Sequence, residues 1–156
     1  MLLSVFLILA CLLSDVFWIT PTLVTLTERT FYRLLQKMDQ RCYSPSPNWY
    51  GPKSPNGCEV FIGKIPRDWF EDELVPVFEL VKKIYLFRIM VDFSGLNRGY
   101  AFCMYTNRDD TRRAVNELNC YEIRKGKILS VCFSIDNCHL FIGVIPKLKA
   151  KDELML

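Results

Sequence analysis

The chain has 156 residues, 51% of them hydrophobic and 24% charged, enough apolar sequence for one domain with a core and too much for a disordered chain. Seven Gly and eight Pro exclude collagen-like and low-complexity classes. The net charge of +3 is local: residues 57–136 carry twelve basic and twelve acidic side chains, whereas residues 20–56 carry five and two. Attraction to a polyanion would therefore belong to particular places rather than to the whole field.

Residues 1–24 are an atypical, apolar start. Within 1–19 only Ser4, Ser14 and Asp15 interrupt the apolar run, and about 20 apolar residues can span a bilayer as a helix. A secretory signal would want basic residues ahead of that run, and none is there. Asp15 at mid-bilayer would cost about 2.5–3.5 kcal/mol. A membrane or secretory element and an untargeted irregular terminus both stay open. Residues 25–56 read as a helix from Thr27 to Met38, with Leu34, Leu35 and Met38 at helical spacing, followed by a Pro-rich linker from Ser44 to Gly57.

Residues 57–136 alternate short strands with helices. Glu59–Ile65 is an apolar strand. Asp68 with Glu71 three residues on signals a helix start, and Leu74, Val77, Phe78 and Val81 recur at helical spacing, with Pro76 removing one backbone bond. Ile84–Val91 is a second strand, with Ile84, Phe87 and Ile89 inward and Arg88 and Met90 outward. A loop at Asp92–Asn97 uses Gly95 for positive φ. Tyr100–Tyr105 is a third strand, and Asn107 caps a helix whose inner face is Ala114, Val115 and Leu118. After a turn at Arg124-Lys125-Gly126, Lys127–Ser134 is a fourth strand, placing Leu129, Val131 and Phe133 inward. This β-α-β-β-α-β order predicts an α+β fold: a split βαβ, ferredoxin-like sandwich with a four-stranded antiparallel sheet and two helices on one face.

Two motifs narrow the function. Arg98-Gly99-Tyr100-Ala101-Phe102-Cys103-Met104-Tyr105 fits the octamer of the RNA recognition motif at seven of eight positions, and Val60–Ile65 fits its partner hexamer 38 residues upstream. Side chains alternate faces along a strand, so Phe61, Tyr100 and Phe102 fall together on the face without helices. Exposed rings there suit stacking of unpaired bases, at about 1–3 kcal/mol each. Arg98 is the candidate phosphate partner, Arg88 a second RNA contact or an ion pair, and Lys64 a third basic candidate at the end of its strand. A competing reading covers these rings with the chain's own termini or with a protein, the latter making the chain an adaptor.

Leu140–Pro146 repeats Val60–Pro66 at an offset of 80, and eight of fifteen positions from Val60 to Leu74 recur. Residues 137–156 therefore read as the start of a second such motif, too short to bury a core. The seven cysteines include no CxxC pair and His139 is the only histidine, so no zinc site is expected and the thiols read as reduced. No cofactor is expected. With no nucleophile elbow, phosphate loop or carboxylate pair, the expectation is of a non-enzyme.

The residues from Gly57 to Asp68, from Glu71 to Glu79, Asn97–Phe102, Asn119, Tyr121–Arg124 and Asp136-Asn137-Cys138, with Tyr32, Gln40-Arg41, Tyr43, Trp49 and Gly51-Pro52 upstream, resemble the branch that holds hnRNP Q and R, the apobec complementation factor and the dead end protein. The complementation-factor subgroup is the nearest. The resemblance implies binding of single-stranded, AU-rich mRNA in the nucleus and cytoplasm. It also implies roles in mRNA processing, stability or C-to-U editing, with a cytidine deaminase or another RNA-processing protein as partner. Lys82 stands where that branch has Gly, which predicts a strained left-handed helix cap. Cys120 stands in place of Asn and Lys125 in place of Pro.

Overall fold

The computed structural model describes residues 20–45 and 50–135. The strong period-two and period-3.6 patterns of the central region produce the expected frame. In chain order the elements are α1 (Pro21–Thr30), β1 (Arg33–Lys37), β2 (Gln40–Ser44), β3 (Glu59–Gly63), α2 (Glu71–Glu79), β4 (Leu86–Val91), β5 (Asn97–Met104), α3 (Arg108–Leu118), β6 (Glu122–Arg124), β7 (Lys127–Ile128) and β8 (Ser130–Phe133). The ferredoxin-like α+β sandwich is present: β3, β4, β5 and β8 are its four strands, and α2 and α3 its helices. All pairings are antiparallel, with β3 and β5 side by side at its centre.

The sheet is wider than its sequence announces. Its order is β1-β2-β4-β5-β3-β8, six strands in all, because a hairpin of β1 and β2 joins the free edge of β4. The helix expected over Thr27–Met38 is thereby corrected. The helix runs from Pro21 to Thr30, capped by Thr20, and ends at Phe31 in the left-handed region with φ 57. Leu34 and Leu35 then face opposite sides of a strand, and Met38 lies in the hairpin turn with φ 50. The reason is non-local: β2 satisfies the hydrogen-bonding edge of β4, which local helical spacing cannot reveal. The expected boundary after residue 24 likewise falls inside α1, whose Leu23 and Leu26 are buried.

The hairpin is fixed to the domain. Tyr32 Oη donates to the Ile84 carbonyl at 2.8 Å, and the Val91 amide donates to the Asp39 carbonyl at 2.8 Å. Arg41 and Glu71 form a buried two-pronged ion pair, Nε to Oε1 at 2.9 Å and Nη2 to Oε2 at 2.5 Å. Burial pushes the Glu71 carboxyl up, and the Arg41 guanidinium opposes that shift. Tyr32 and Tyr43 join the main core beside Val60, Ile62, Phe78, Phe87, Ile89, Ala101 and Leu129.

Four further expectations change. Asp68 does not cap α2: the N-cap is Phe70, without a side-chain bond. Asp68 instead accepts from Arg124 Nη1 at 2.8 Å, which lowers its carboxyl below the usual range, while Glu71 is committed to Arg41. The fourth strand is split, with β7 pairing β6 and only β8 entering the main sheet. Phe133 lies opposite Val60 and so on the helix side, yet it is 48% exposed. It is the last residue of an edge strand, so one flank of its ring is uncovered. Lys82 is not in the left-handed region; among the described residues the non-Gly positions there are Phe31, Met38, Lys64 and Cys120.

The apolar start at 1–19 and the repeat at 137–156 lie outside the described residues, as do residues 46–49 of the linker. Among the described residues no helix is long and apolar enough to cross a membrane.

Candidate nucleic-acid interface

Strand alternation and register place the rings. Phe61 lies directly opposite Phe102, and Gly63 directly opposite Tyr100. Val60, Ile62, Ala101 and Cys103, which alternate with them, have no exposure on the helix side. The three rings are half-buried and in mutual contact. Phe61 and Phe102 meet edge-on with centroids 5.6 Å apart, Phe61 and Tyr100 lie nearly parallel at 6.0 Å, and Tyr100 and Phe102 meet edge-on at 6.2 Å. Such offset and edge geometries follow the ring quadrupoles.

Gly63 makes this packing possible. A Cβ built there would sit 3.1 Å from Phe61 Cε1, so a side chain would require the Phe61 ring to give by a few tenths of an ångström. Asn97 fixes the start of the octamer. Its side chain donates to the Pro66 and Trp69 carbonyls at 2.7 and 2.6 Å and accepts from the Gly99 amide at 2.7 Å. Gly99, with φ 87, then turns the strand through an irregular step in its pairing with β4. The residue after it, Tyr100, therefore points to the open face.

Each of two guanidiniums lies over one ring. Arg98 is 5.7 Å from the Tyr100 centroid and pairs with Asp39 in the hairpin turn at 3.6 Å. Arg88 is 5.0 Å from the Phe102 centroid and pairs with Glu59, which also accepts from Ser134 Oγ at 3.0 Å. Arg88 thus combines both roles weighed from the sequence, a place on the ring face and a cross-strand ion pair. Lys64 stands apart: it is exposed just beyond β3 with φ 60, and it makes no ion pair or ring contact among the described residues.

Sequence reasoning missed Glu59, Gly63 and Asp39. Period two from Phe61 reaches Glu59 and Gly63 directly, so a signal for those existed. Asp39 enters only through the hairpin. The arrangement offers apolar ring faces for stacking and cations at their margins for phosphate.

Residues 60–129 match the sequence profile of the RNA recognition motif. The chain is 58% identical over 133 residues to RNA-binding protein 47 of Danio rerio, covering 85% of this chain and 22% of that protein. It is 58% identical over 134 residues to the probable RNA-binding protein 46 of Homo sapiens, covering 85% of this chain and 25% of that protein. Among solved structures it is similar to the Sex-lethal RNA recognition domains 1 and 2 from Drosophila melanogaster, at 30% identity and a TM-score of 0.47, over 50% of each chain. The chain thus spans about a quarter of the length of the curated relatives it matches.

Proposed function

Because the chain belongs, through residues 60–129, to the RNA recognition motif family, we propose that it binds single-stranded RNA on the open face of its sheet. Phe61, Tyr100 and Phe102 stack bases, and Arg98 and Arg88 meet phosphate or base edges. The observation that carries this reading is the trio of half-buried rings within 5.6–6.2 Å of one another on the face that α2 and α3 leave bare. Rings that no helix covers bury only part of their area, which leaves ring surface for a ligand to cover. Double-stranded RNA keeps its bases inside the helix and offers nothing to stack.

In this reading the binding unit spans residues 57–136, residues 137–156 begin a second unit of the same kind, and Lys64 contributes only through charge. The RNA is mRNA rich in A and U, the setting is post-transcriptional control in nucleus and cytoplasm, and the chain contributes binding rather than catalysis. The 58% identity to RNA-binding protein 47 and probable RNA-binding protein 46 supports RNA as the ligand.

The test is a titration of labelled single-stranded RNA against a duplex of equal length. The expectation is weak binding to the single strand and little to the duplex, since one such motif grips two or three bases. Phe102→Ala should weaken single-strand binding tenfold to a hundredfold. Equal or tighter duplex binding, or an unchanged affinity in Phe102→Ala, overturns the reading.

A further inference from the structure

The geometry points to a second RNA-contacting surface on the β1–β2 hairpin, where Arg33 and Lys37 hold the phosphate backbone of a strand that continues beyond the aromatic rings. It rests on the function proposed above and extends its site sideways by two strands.

Register carries the first part. Residues directly opposite in adjacent antiparallel strands share a face. Leu35 is opposite Cys42, Cys42 opposite Arg88, Arg88 opposite Phe102, Phe102 opposite Phe61 and Phe61 opposite Cys132. One unbroken row therefore crosses all six strands on the open face. With neighbouring strands about 4.7–4.9 Å apart, Leu35 lies about 14 Å from Phe102 along that row. Arg33 and Lys37, two residues to either side of Leu35, lie opposite Ser44 and Gln40 on the same face.

Charge carries the second part. The guanidiniums over the rings are already engaged, Arg88 with Glu59 and Arg98 with Asp39. Arg33 and Lys37 are exposed and make no ion pair among the described residues. In the register Cys42 stands between Leu35 of the hairpin edge and Arg88, and Lys37 is opposite Gln40 two residues along. The Asp39–Arg98 pair ties the hairpin turn to the margin of the Tyr100 ring, so a strand leaving Tyr100 meets the hairpin next.

Rigidity carries the third part. The hairpin is held by the buried Arg41–Glu71 pair and by the Val91–Asp39 backbone bond. Its cations are presented without any segment having to order itself on binding, which removes a cost that flexible basic arms carry.

The experiment uses the full chain, a three-nucleotide RNA that reaches only the rings, and a ten-nucleotide single strand rich in A and U. Each phosphate contact on a single strand contributes about 0.7 to the slope of log K against log salt. Arg33→Ala/Lys37→Ala should therefore lower the slope for the long strand by about 1.4, so that wild type loses about sevenfold more affinity than the variant between 50 and 200 mM salt. Binding of the short RNA should be unchanged, and Arg33→Lys/Lys37→Arg should restore the slope. An unchanged slope on the long strand, with Phe102→Ala still weakening both RNAs, overturns the hairpin site and leaves the aromatic site standing. Indifference of both RNAs to Phe102→Ala removes the aromatic reading itself. A loss that falls equally on short and long RNA in the double Ala variant also overturns the hairpin site, because it would mark a general field effect.

Discussion

On the helix side of the sheet, Val60, Ile62, Phe87, Ile89, Ala101 and Cys103 have no solvent exposure. Their sequence neighbours on the other side, Phe61, Arg88, Tyr100 and Phe102, are half-buried, and two of them carry charge or a hydroxyl. The two faces share one backbone, so the contrast isolates what each side chain is for. Apolar burial explains the helix side at about 25 cal/mol per Å² removed from water. It does not account for three rings on the open side, each only half-buried and two of them beneath a guanidinium. Such a face is kept for what lands on it. Variants should accordingly divide into those that change stability and those that change binding.

The largest effect is expected where the hairpin meets the helix side. Arg41 is 3% exposed and Glu71 fully buried, so Arg41→Met leaves a buried carboxylate alone and should cost about 3–5 kcal/mol of stability. Burial already raises the Glu71 carboxyl, and Arg41 opposes that. Without Arg41 the folded-state value rises further above the unfolded one, so the native state takes up the proton more readily as pH falls. The loss should therefore be greatest at neutral and alkaline pH and shrink toward acid, which denaturant melts at several pH values would show. Arg41→Met/Glu71→Leu should recover most of it, since paired apolar replacements of a buried ion pair are often neutral. A double variant as unstable as the single one would mean that the charge pair is not the cause.

Next comes the contrast between the faces themselves. Phe87→Ala should leave a cavity against Phe78, whose ring lies 6.0 Å away, and cost about 3–5 kcal/mol. Its folded fraction should bind RNA normally. Phe102→Ala removes a half-buried ring and should cost about 1–2 kcal/mol of stability, well below Phe87→Ala, while losing about 1–3 kcal/mol of binding. Thermal melts and RNA titrations on both proteins test the division, and an exchange of the two phenotypes would place the register one residue off.

Phe133 sharpens the boundary between faces. Period two from Leu129 and Val131 puts it on the helix side, and its register partner Val60 agrees, but it is 48% exposed. Half of a full Phe burial amounts to about 1 kcal/mol. Phe133→Ala should cost about that much by chemical denaturation, far below Phe87→Ala, and leave RNA affinity intact. A loss as large as that of Phe87→Ala would mean that the ring is covered.

The strands and helices between Glu59 and Phe133 are largely legible because local signals agree there: period two in the strands, period 3.6 in the helices, turn glycines at Gly95 and Gly126, and the octamer that sets the register of Tyr100 and Phe102. The grouping of the rings followed from alternation alone. The hairpin was not legible, because Leu34, Leu35 and Met38 satisfy a helical spacing as well as a strand, and what decides is the edge of β4, about 50 residues away. Glu71 carries the same lesson. Three residues after Asp68 it looks like a capping partner, yet it is claimed by Arg41 on a strand that local reasoning did not foresee. Period tells which face a residue occupies; how far the helices extend over that face is a tertiary fact, which is why Phe133 was placed correctly and its burial was not.

The smallest effect lies off both faces and raises stability. Cys120 follows α3 with φ 63, where its amide donates to the Leu129 carbonyl at 3.1 Å and the Tyr121 amide donates to the Leu118 carbonyl at 3.1 Å. These bonds hold the chain in a left-handed turn that delivers β6, β7 and β8. A side chain other than Gly or Asn pays about 1–2 kcal/mol there from contact between its Cβ and the following carbonyl. Cys120 is exposed, so replacing it disturbs no packing. Cys120→Asn keeps the turn with less strain, and Cys120→Gly removes the Cβ but adds freedom to the unfolded chain. Both should stabilise by about 0.5–1 kcal/mol, a rise of a few degrees in Tm, with RNA affinity unchanged. Cys120→Val, branched at Cβ, should do the opposite. The ordering Asn and Gly above Cys above Val in a melting series supports backbone strain at this corner; a series ordered by side-chain hydrophobicity would instead mean that Cys120 is packed against something and that its φ is not what limits stability.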